Sequence, residues 1–476
     1  MNKLIQKYNN LSLQMKAAFW FTMCSFLQKG ISFITVPIFT RIMSTEQYGT
    51  YSLYLSWLQL FTVISTLYLY HGVTDNAMAK FEGDRSRFIA SMQGLTISIT
   101  TAVMLMTFAL WQGVQEFLGL APVMIMLMFA EIYVIPALAF WSARQRFDYK
   151  YRKLVLITLI KSILNPVLGI AAVSFSTDKP LARVVATVAV EIVICGTIMI
   201  IQFRRGKVFF DRDYWKYAFT LAIPMLPHYL AGIVLNHGDK IVISKVLGTS
   251  EVALYGVAYS IGFLVQIFVG AINNALTPWV YGRLKVSDIK SIKNRSRSVL
   301  FIVFCIVVAL MLLSPELVAI FGSSEYADSV DVIPPVAASV FFVFLYGYLS
   351  FPEFYYEKTS FLMIASITAA VLNVVLNFIF VPIYGFVAAA YTTLVCYILY
   401  SLGHYIVGGV ILKKHTSSRA IIDEPITLII AICLVAISST VHLIFGYVAV
   451  RYCLIIIGCA VLIWKRKFLI KMFTEK

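Results

Sequence analysis

From Ala17 onward the chain passes through fourteen apolar stretches, separated only by short polar breaks: 17–39, 48–71, 88–110, 121–141, 154–175, 182–203, 217–237, 252–275, 298–320, 331–352, 361–381, 385–408, 426–445 and 447–464. A helix rises about 1.5 Å per residue and needs roughly 20 apolar residues to cross about 30 Å of hydrocarbon. In lipid a backbone must satisfy its own hydrogen bonds, so runs of this length read as spanning helices. The expected fold is an all-α membrane protein of about 14 transmembrane helices. Only 13% of the residues are charged and the mean hydropathy is +0.84, which no soluble core could bury. The short breaks leave no room for a separate globular domain.

The formal charge of +16 raises nucleic acid as a partner, but the cations fall in short loops and form no patch. If the N-terminus is cytoplasmic, the outer segments hold only Arg41, Lys179, Arg183, Lys240, Lys245 and Arg451, against most of the chain's 39 cations inside. That asymmetry is the positive-inside pattern of an even number of spans with both termini cytoplasmic. The seven cysteines (Cys24, Cys195, Cys305, Cys396, Cys433, Cys453 and Cys459) lie within apolar runs, without disulfide or metal-site spacing, and read as small packing residues. The first run is longer than a signal-peptide core and lacks its exit motif, so it is expected to be a retained helix. Before it, Leu4, Tyr8, Leu11 and Met15 recur at helical spacing between Lys3, Lys7 and Lys16, as in a helix lying on an anionic leaflet or simply a polar leader.

A repeat organises the chain. TRIMSTEQYGTY (Thr40 to Tyr51) returns as SKVLGTSEVALY (Ser244 to Tyr255), setting Arg41 over Lys245, Thr45 over Thr249 and Tyr51 over Tyr255. The copies follow the first and seventh runs, so they enter the membrane in the same direction. This parallel repeat predicts two pseudo-symmetric six-helix lobes, 1–210 and 211–410, around a central cavity, with a C-terminal helix pair, 411–476.

Charge within a span is costly and normally faces a cavity or a partner. Lys29, Glu131, Lys161 and Glu191 are in that position, and internal ion pairs among helices are the alternative. Arg41 and Lys245 occupy equivalent places in the two copies and are expected at the outer mouth; snorkelling at the interface would explain each one singly. Asp239 and Lys240, beside Asn236 and His237, form a polar knot that could bind a coupling proton or cation, or pair internally. Asn165, Asn373 and Asn377 place amides on the fifth and eleventh runs, for hydrogen bonds between helices or to sugar hydroxyls. Tyr51, Tyr54, Trp57 and the aromatic run from Phe341 to Tyr356 could stack on sugars, though aromatic residues also gather at membrane interfaces. His71, His228, His404 and His442 are scattered singly and read as packing residues; no pair has zinc-site spacing.

Four segments resemble one family in order along most of the chain: TRIMSTEQYGTY, NHGDKIVISKVLGTSEVALYGVAYS (Asn236 to Ser260), ALTPWVYGRL (Ala275 to Leu284) and AAVLNVVLNFIFVPIYGFVAAAYTT (Ala369 to Thr393). They look like the corresponding junctions of Wzx-type polysaccharide-precursor flippases of the multidrug/oligosaccharidyl-lipid/polysaccharide exporter superfamily. The resemblance fades after about residue 410. It implies a multi-pass protein of the bacterial inner membrane that carries an oligosaccharide on a polyprenyl pyrophosphate, with membrane lipids and a polysaccharide polymerase machinery as neighbours and no cofactor. Family members tend to carry a cation at the level of Lys29, which implies a cavity-lining role. Arg41 with Lys245, and Lys240, would offer donors to pyrophosphate oxygens. A drug/cation antiporter of the same fold and a peptidoglycan-precursor lipid flippase are the nearest alternatives. A membrane polymerase or sugar transferase would be expected to need a larger outer loop. No G-x-x-x-x-G-K-[ST] phosphate loop is present.

Overall fold

A computed structural model describes residues 12–358 and 360–464, and every regular element among them is a helix. Each of the fourteen apolar runs contains one: α1 (Leu13–Ile42), α2 (Thr45–Thr66), α3 (Arg85–Ala109), α4 (Pro122–Phe147), α5 (Tyr151–Phe175), α6 (Lys179–Gly206), α7 (Arg212–Val246), α8 (Thr249–Lys285), α9 (Ile289–Leu312), α10 (Ile333–Leu349), α11 (Ser360–Tyr384), α12 (Val387–His415), α13 (Glu424–Thr440) and α14 (Val448–Trp464). Twelve helical stretches of the described residues are long and apolar enough to span a bilayer; α2, with its many hydroxyl residues, and the short α14 fall below that mark. Leu4, Tyr8 and Leu11 lie outside the described residues, while Met15 and Lys16 belong to α1.

Both copies of the repeat form the same joint: a long helix, a two-residue break and a new helix. In the first, Ser44 caps α2. Its hydroxyl accepts from the Gln47 N–H at 3.2 Å while the Gln47 side chain accepts from the Ser44 N–H at 3.1 Å, satisfying two donors that a helix start leaves free. In the second, Gly248 takes φ +124° ahead of α8, a backbone that a side chain would strain. The aligned Tyr51 and Tyr255 are both buried.

The described residues divide into two compact units within α7, between Ile233 and Val234. The first unit has a core of Leu69, Phe88, Met92 and Phe140, closed by Ala218 and Ala222 at the start of α7. Helices α3 and α6 touch through small residues: a Cβ on Gly206 would sit 2.3 Å from the Ala90 Cβ and 2.4 Å from the Ser86 carbonyl, so only glycine permits this approach. Helix α1 is the exception to this packing. Phe19, Met23, Phe26, Ile34 and Ile38 are exposed, and its buried residues are Ala17, Cys24 and, at its C-terminal end, Phe39 and Thr40. There the Lys179 ammonium donates to the Ile42 carbonyl at 2.6 Å, a cation placed where the helix dipole is negative.

The second unit is built on α10, buried without interruption from Ile333 to Leu345. Outside the spans, Asp288 caps α9 by accepting from the Ser291 N–H at 3.1 Å, and the hydrogen bonds from Ser291 hold its carboxyl below the usual carboxylate range. Two cations assigned to outer loops from sequence are in fact interior groups. Arg183 is 6% exposed inside α6. Arg451, 2% exposed, donates to Glu316 at 2.7 Å and to the Leu312 carbonyl at 2.8 Å. At these helix ends hydropathy alone does not separate a loop cation from one folded back onto protein.

Candidate functional site

The charges inside the first unit balance, though with a different membership from the one expected. Lys161 on α5 pairs with Glu191 on α6 at 2.7 Å, and the Cys195 thiol, one turn on, donates to the same Glu191 at 3.0 Å. Glu191 immediately precedes a π-type turn, Ile192–Gly196, a local widening of the helix that commonly accompanies functional positions. Glu131 on α4 is buried and accepts from the Tyr54 hydroxyl at 2.7 Å. The second cation is Arg183. Its guanidinium donates to Thr187 at 2.7 Å and Asn165 at 2.8 Å and lies 4.6 Å from the Phe39 ring and 5.1 Å from the Tyr51 ring, a cation–π clamp joining α1, α2, α5 and α6.

Lys29 takes no part in this balance. It is exposed halfway along α1, and among the described residues no ion pair or hydrogen bond engages its ammonium. Arg41 is exposed at the end of α1, where it donates to the Pro37 carbonyl at 2.8 Å. Lys245 is exposed in the last turn of α7.

In the second unit four helices converge on one carboxylate. Asp239 is fully buried on α7. Its Oδ1 accepts from the Asn377 amide of α11 at 2.7 Å. Its Oδ2 accepts from Thr393 of α12 at 2.8 Å and from the Tyr255 hydroxyl of α8. A second layer locks these donors. The Asn373 amide donates to the Thr393 hydroxyl at 2.9 Å, the Asn377 amide also donates to the Asn373 carbonyl oxygen at 3.3 Å, and the Thr392 hydroxyl donates to the Asn377 carbonyl oxygen. One turn below, Asn236 accepts from Tyr259 at 3.1 Å, and the Lys240 ammonium lies 5.9 Å from the Tyr259 ring. Among the described residues Asp239 and Lys240 form no ion pair; the acid's partners are neutral hydroxyls and amides.

Asp239, Asn236, Lys240, Asn373 and Asn377 are therefore gathered in one neighbourhood, as are Lys161 with Glu191. Sequence reasoning missed Tyr259, Thr392 and Thr393; it named Tyr54 only as an aromatic that could stack on sugars, and it set Arg183 in an outer segment. The repeat carried a usable signal, because it aligned Tyr51 with Tyr255. These equivalent tyrosines attend opposite charges, Arg183 in the first unit and Asp239 in the second. The groups around Asp239, one amide N–H and two hydroxyls, present hydrogens to the carboxylate and leave it without a cationic partner among the described residues. No cluster of three or more His, Cys, Asp or Glu side chains suited to a metal occurs among the described residues.

A helical fold of many apolar spans with buried charge in each unit defines a class, that of multi-span membrane proteins. It is similar to the solved structure described as "Lipid II flippase MurJ, inward closed conformation", with a TM-score of 0.72 at 14% identity over 94% of this chain and 99% of that one. It is also similar to an inward-facing multidrug resistance MATE family transporter of the MOP superfamily, with a TM-score of 0.64 at 14% identity over 81% and 95% of the two chains. Residues 15–281 match the family described as "Polysaccharide biosynthesis protein", and the chain belongs to that family. Residues 224–379 also match the MatE family. Among curated relatives, an uncharacterized membrane protein of Haemophilus influenzae is 22% identical over 361 residues, 72% of this chain and 84% of the relative. Another from the same organism, "Lsg locus putative protein 1", is 20% identical over 362 residues, 73% and 86% of the two chains.

Proposed function

We propose that the protein is a flippase that carries polyprenyl-pyrophosphate-linked oligosaccharide, an O-antigen, capsule or exopolysaccharide repeat unit, from the inner to the outer leaflet by alternating access. The cargo is moved and no bond is made, so the protein is not an enzyme. It sits in the bacterial inner membrane with both termini cytoplasmic, and its working parts are an N-lobe (1–210), a C-lobe (211–410) and a C-terminal helix pair (411–476). The membership of residues 15–281 in a polysaccharide biosynthesis family supports this.

The observation that carries the reading furthest is Lys29. A solitary ammonium, exposed halfway along a spanning helix, is expensive against lipid tails and inexpensive against a wet cavity that admits an anionic head group. Arg41, Lys240 and Lys245 are the further cations that this reading assigns to the cargo. With the cytoplasm negative, each net negative charge moved outward gains about 2.3 kcal/mol per 100 mV, so the membrane potential favours export. The Asp239 cluster serves as the seat of a coupling proton or monovalent cation, with Tyr255, Asn377 and Thr393 orienting the carboxylate.

Deletion should make lipid-linked oligosaccharide accumulate on the inner leaflet while surface polymer falls; unchanged surface polymer with no accumulation would exclude the flippase reading. Should a peptidoglycan precursor accumulate instead, the cargo is that lipid. Lys29→Gln should lower surface polymer at least tenfold at unchanged protein level in the membrane, whereas export equal to wild type would remove Lys29 from the cargo path. The MatE match over 224–379 favours one second reading, a drug/cation antiporter. It predicts drug sensitivity in the deletion strain with normal surface polymer.

A further inference from the structure

The turn between α2 and the short helix that follows it, Val73–Lys80, carries a patch that the transport reading leaves unused. Leu67 and Tyr68 stand there in succession at φ +47° and +52°, a left-handed backbone that side chains rarely adopt. Buried Leu69 pins the turn to the core of the first unit, and the His71 N–H closes it by donating to the Tyr68 carbonyl at 2.9 Å. Strain of this kind persists where the surroundings fix it, and it gathers at ligand sites.

The turn holds a set of rings in the open. His71 is exposed and stacks on Tyr68, with centroids 4.1 Å and planes 19° apart. Tyr229 of α7 meets the same Tyr68 ring at 5.0 Å and 61°, and both tyrosines are half-buried. Gly72 permits this approach: its φ is +68°, and a Cβ there would lie 3.1 Å from the Tyr229 hydroxyl. The imidazole also lies in the field of Asp75 and Arg146, which pair at 3.5 Å and are each about half exposed.

Exposed charge of this kind belongs with water and head groups, not with acyl chains. A flat base would be held best between parallel rings, whereas Tyr229 crosses Tyr68 and the rings form a corner. A sugar ring suits that corner. Its C–H face carries partial positive charge and settles on the negative face of an aromatic ring. Its hydroxyls can donate to the Asp75 carboxylate and accept from the Arg146 guanidinium.

We propose that Tyr68, His71 and Tyr229, rimmed by Asp75 and Arg146, form a glycan-binding platform that takes a sugar of the cargo by stacking, separately from the cations assigned to its pyrophosphate. That the sugar arrives on a lipid rests on the flippase reading, whose topology sets this turn at the cytoplasmic end of α2, where cargo loads.

The test is saturation-transfer NMR on the purified full-length protein, with repeat-unit oligosaccharide cut from the host's surface polysaccharide, free of lipid and phosphate, as the probe. Wild type should transfer saturation to the sugar C–H protons. His71→Ala and Tyr229→Leu should each weaken binding about tenfold, as one lost stacking partner would, and Tyr229→Phe, which keeps the ring, should recover what Tyr229→Leu loses. Undiminished binding in both ring-less variants overturns the platform, and so does a wild type that binds no glycan. Rings that serve only as interface anchors would give that undiminished binding with less protein in the membrane. His71 is exposed, so its variant keeps the test open should Tyr229→Leu fail to fold. Lipid-linked oligosaccharide accumulating on deletion, beside a wild type without glycan affinity, would remove the platform and leave the flippase reading standing; ring-dependent glycan binding without accumulation would do the reverse.

Discussion

Asp239→Ala is expected to be the most damaging single substitution in the second unit. It removes the acceptor for the Tyr255 hydroxyl, the Asn377 amide and the Thr393 hydroxyl together. A buried donor left without a partner costs about 1–3 kcal/mol, and three share one network here, so the loss should reach at least about 3 kcal/mol. A thermal shift read by fluorescence-detected gel filtration in detergent would register it, and a melting temperature equal to wild type would mean that the network is not formed. Asp239→Asn separates structure from coupling. The amide keeps the shape and an acceptor oxygen but not the negative charge, so a coupling role predicts near-normal stability with export abolished. Normal export in this variant would make Asp239 a purely structural group.

Lys161→Met is expected to be comparably severe in the first unit, for an electrostatic reason. It strands the Glu191 carboxylate, 5% exposed, with the Cys195 thiol as its one remaining donor among the described residues. Removing one member of a buried pair typically costs about 3–5 kcal/mol, whereas replacing both with apolar groups is often close to neutral. Lys161→Met/Glu191→Leu should therefore be more stable than Lys161→Met alone, and a double-mutant cycle on melting temperatures gives the coupling. A double variant as unstable as the single one would mean that the pair does not hold the unit together. Export measured on the rescued variant then decides whether the pair also acts in transport.

Much of this architecture was legible in the sequence because lipid leaves a chain few choices. A run such as 331–352 must be helical to satisfy its backbone, and the fourteen runs each contain a helix for that reason. The joint after α1 was legible as well, since Ser44 and Gln47 form a local capping box and Gly248 marks the equivalent turn 204 residues on. The polar groups behaved differently. Asp239, Asn373 and Asn377 stand out in an apolar sequence, so each could be named as a candidate. That they are joined through Tyr255 and Thr393 was not legible, because the bonds run between helices up to 154 positions apart.

Arg183 is the sharper case: hydropathy set it at a loop edge, and only the packing of Phe39, Tyr51 and Asn165 around it makes it an interior cation. His404 is another, an unremarkable histidine until Glu353 comes within 2.7 Å. By itself the sequence determined the helices and their repeat, since length, hydropathy and capping act over neighbouring residues. Tertiary structure alone decided which charges share a dry pocket and which stand apart, because electrostatic partnership falls off within a few ångströms while chain distance places no bound on it.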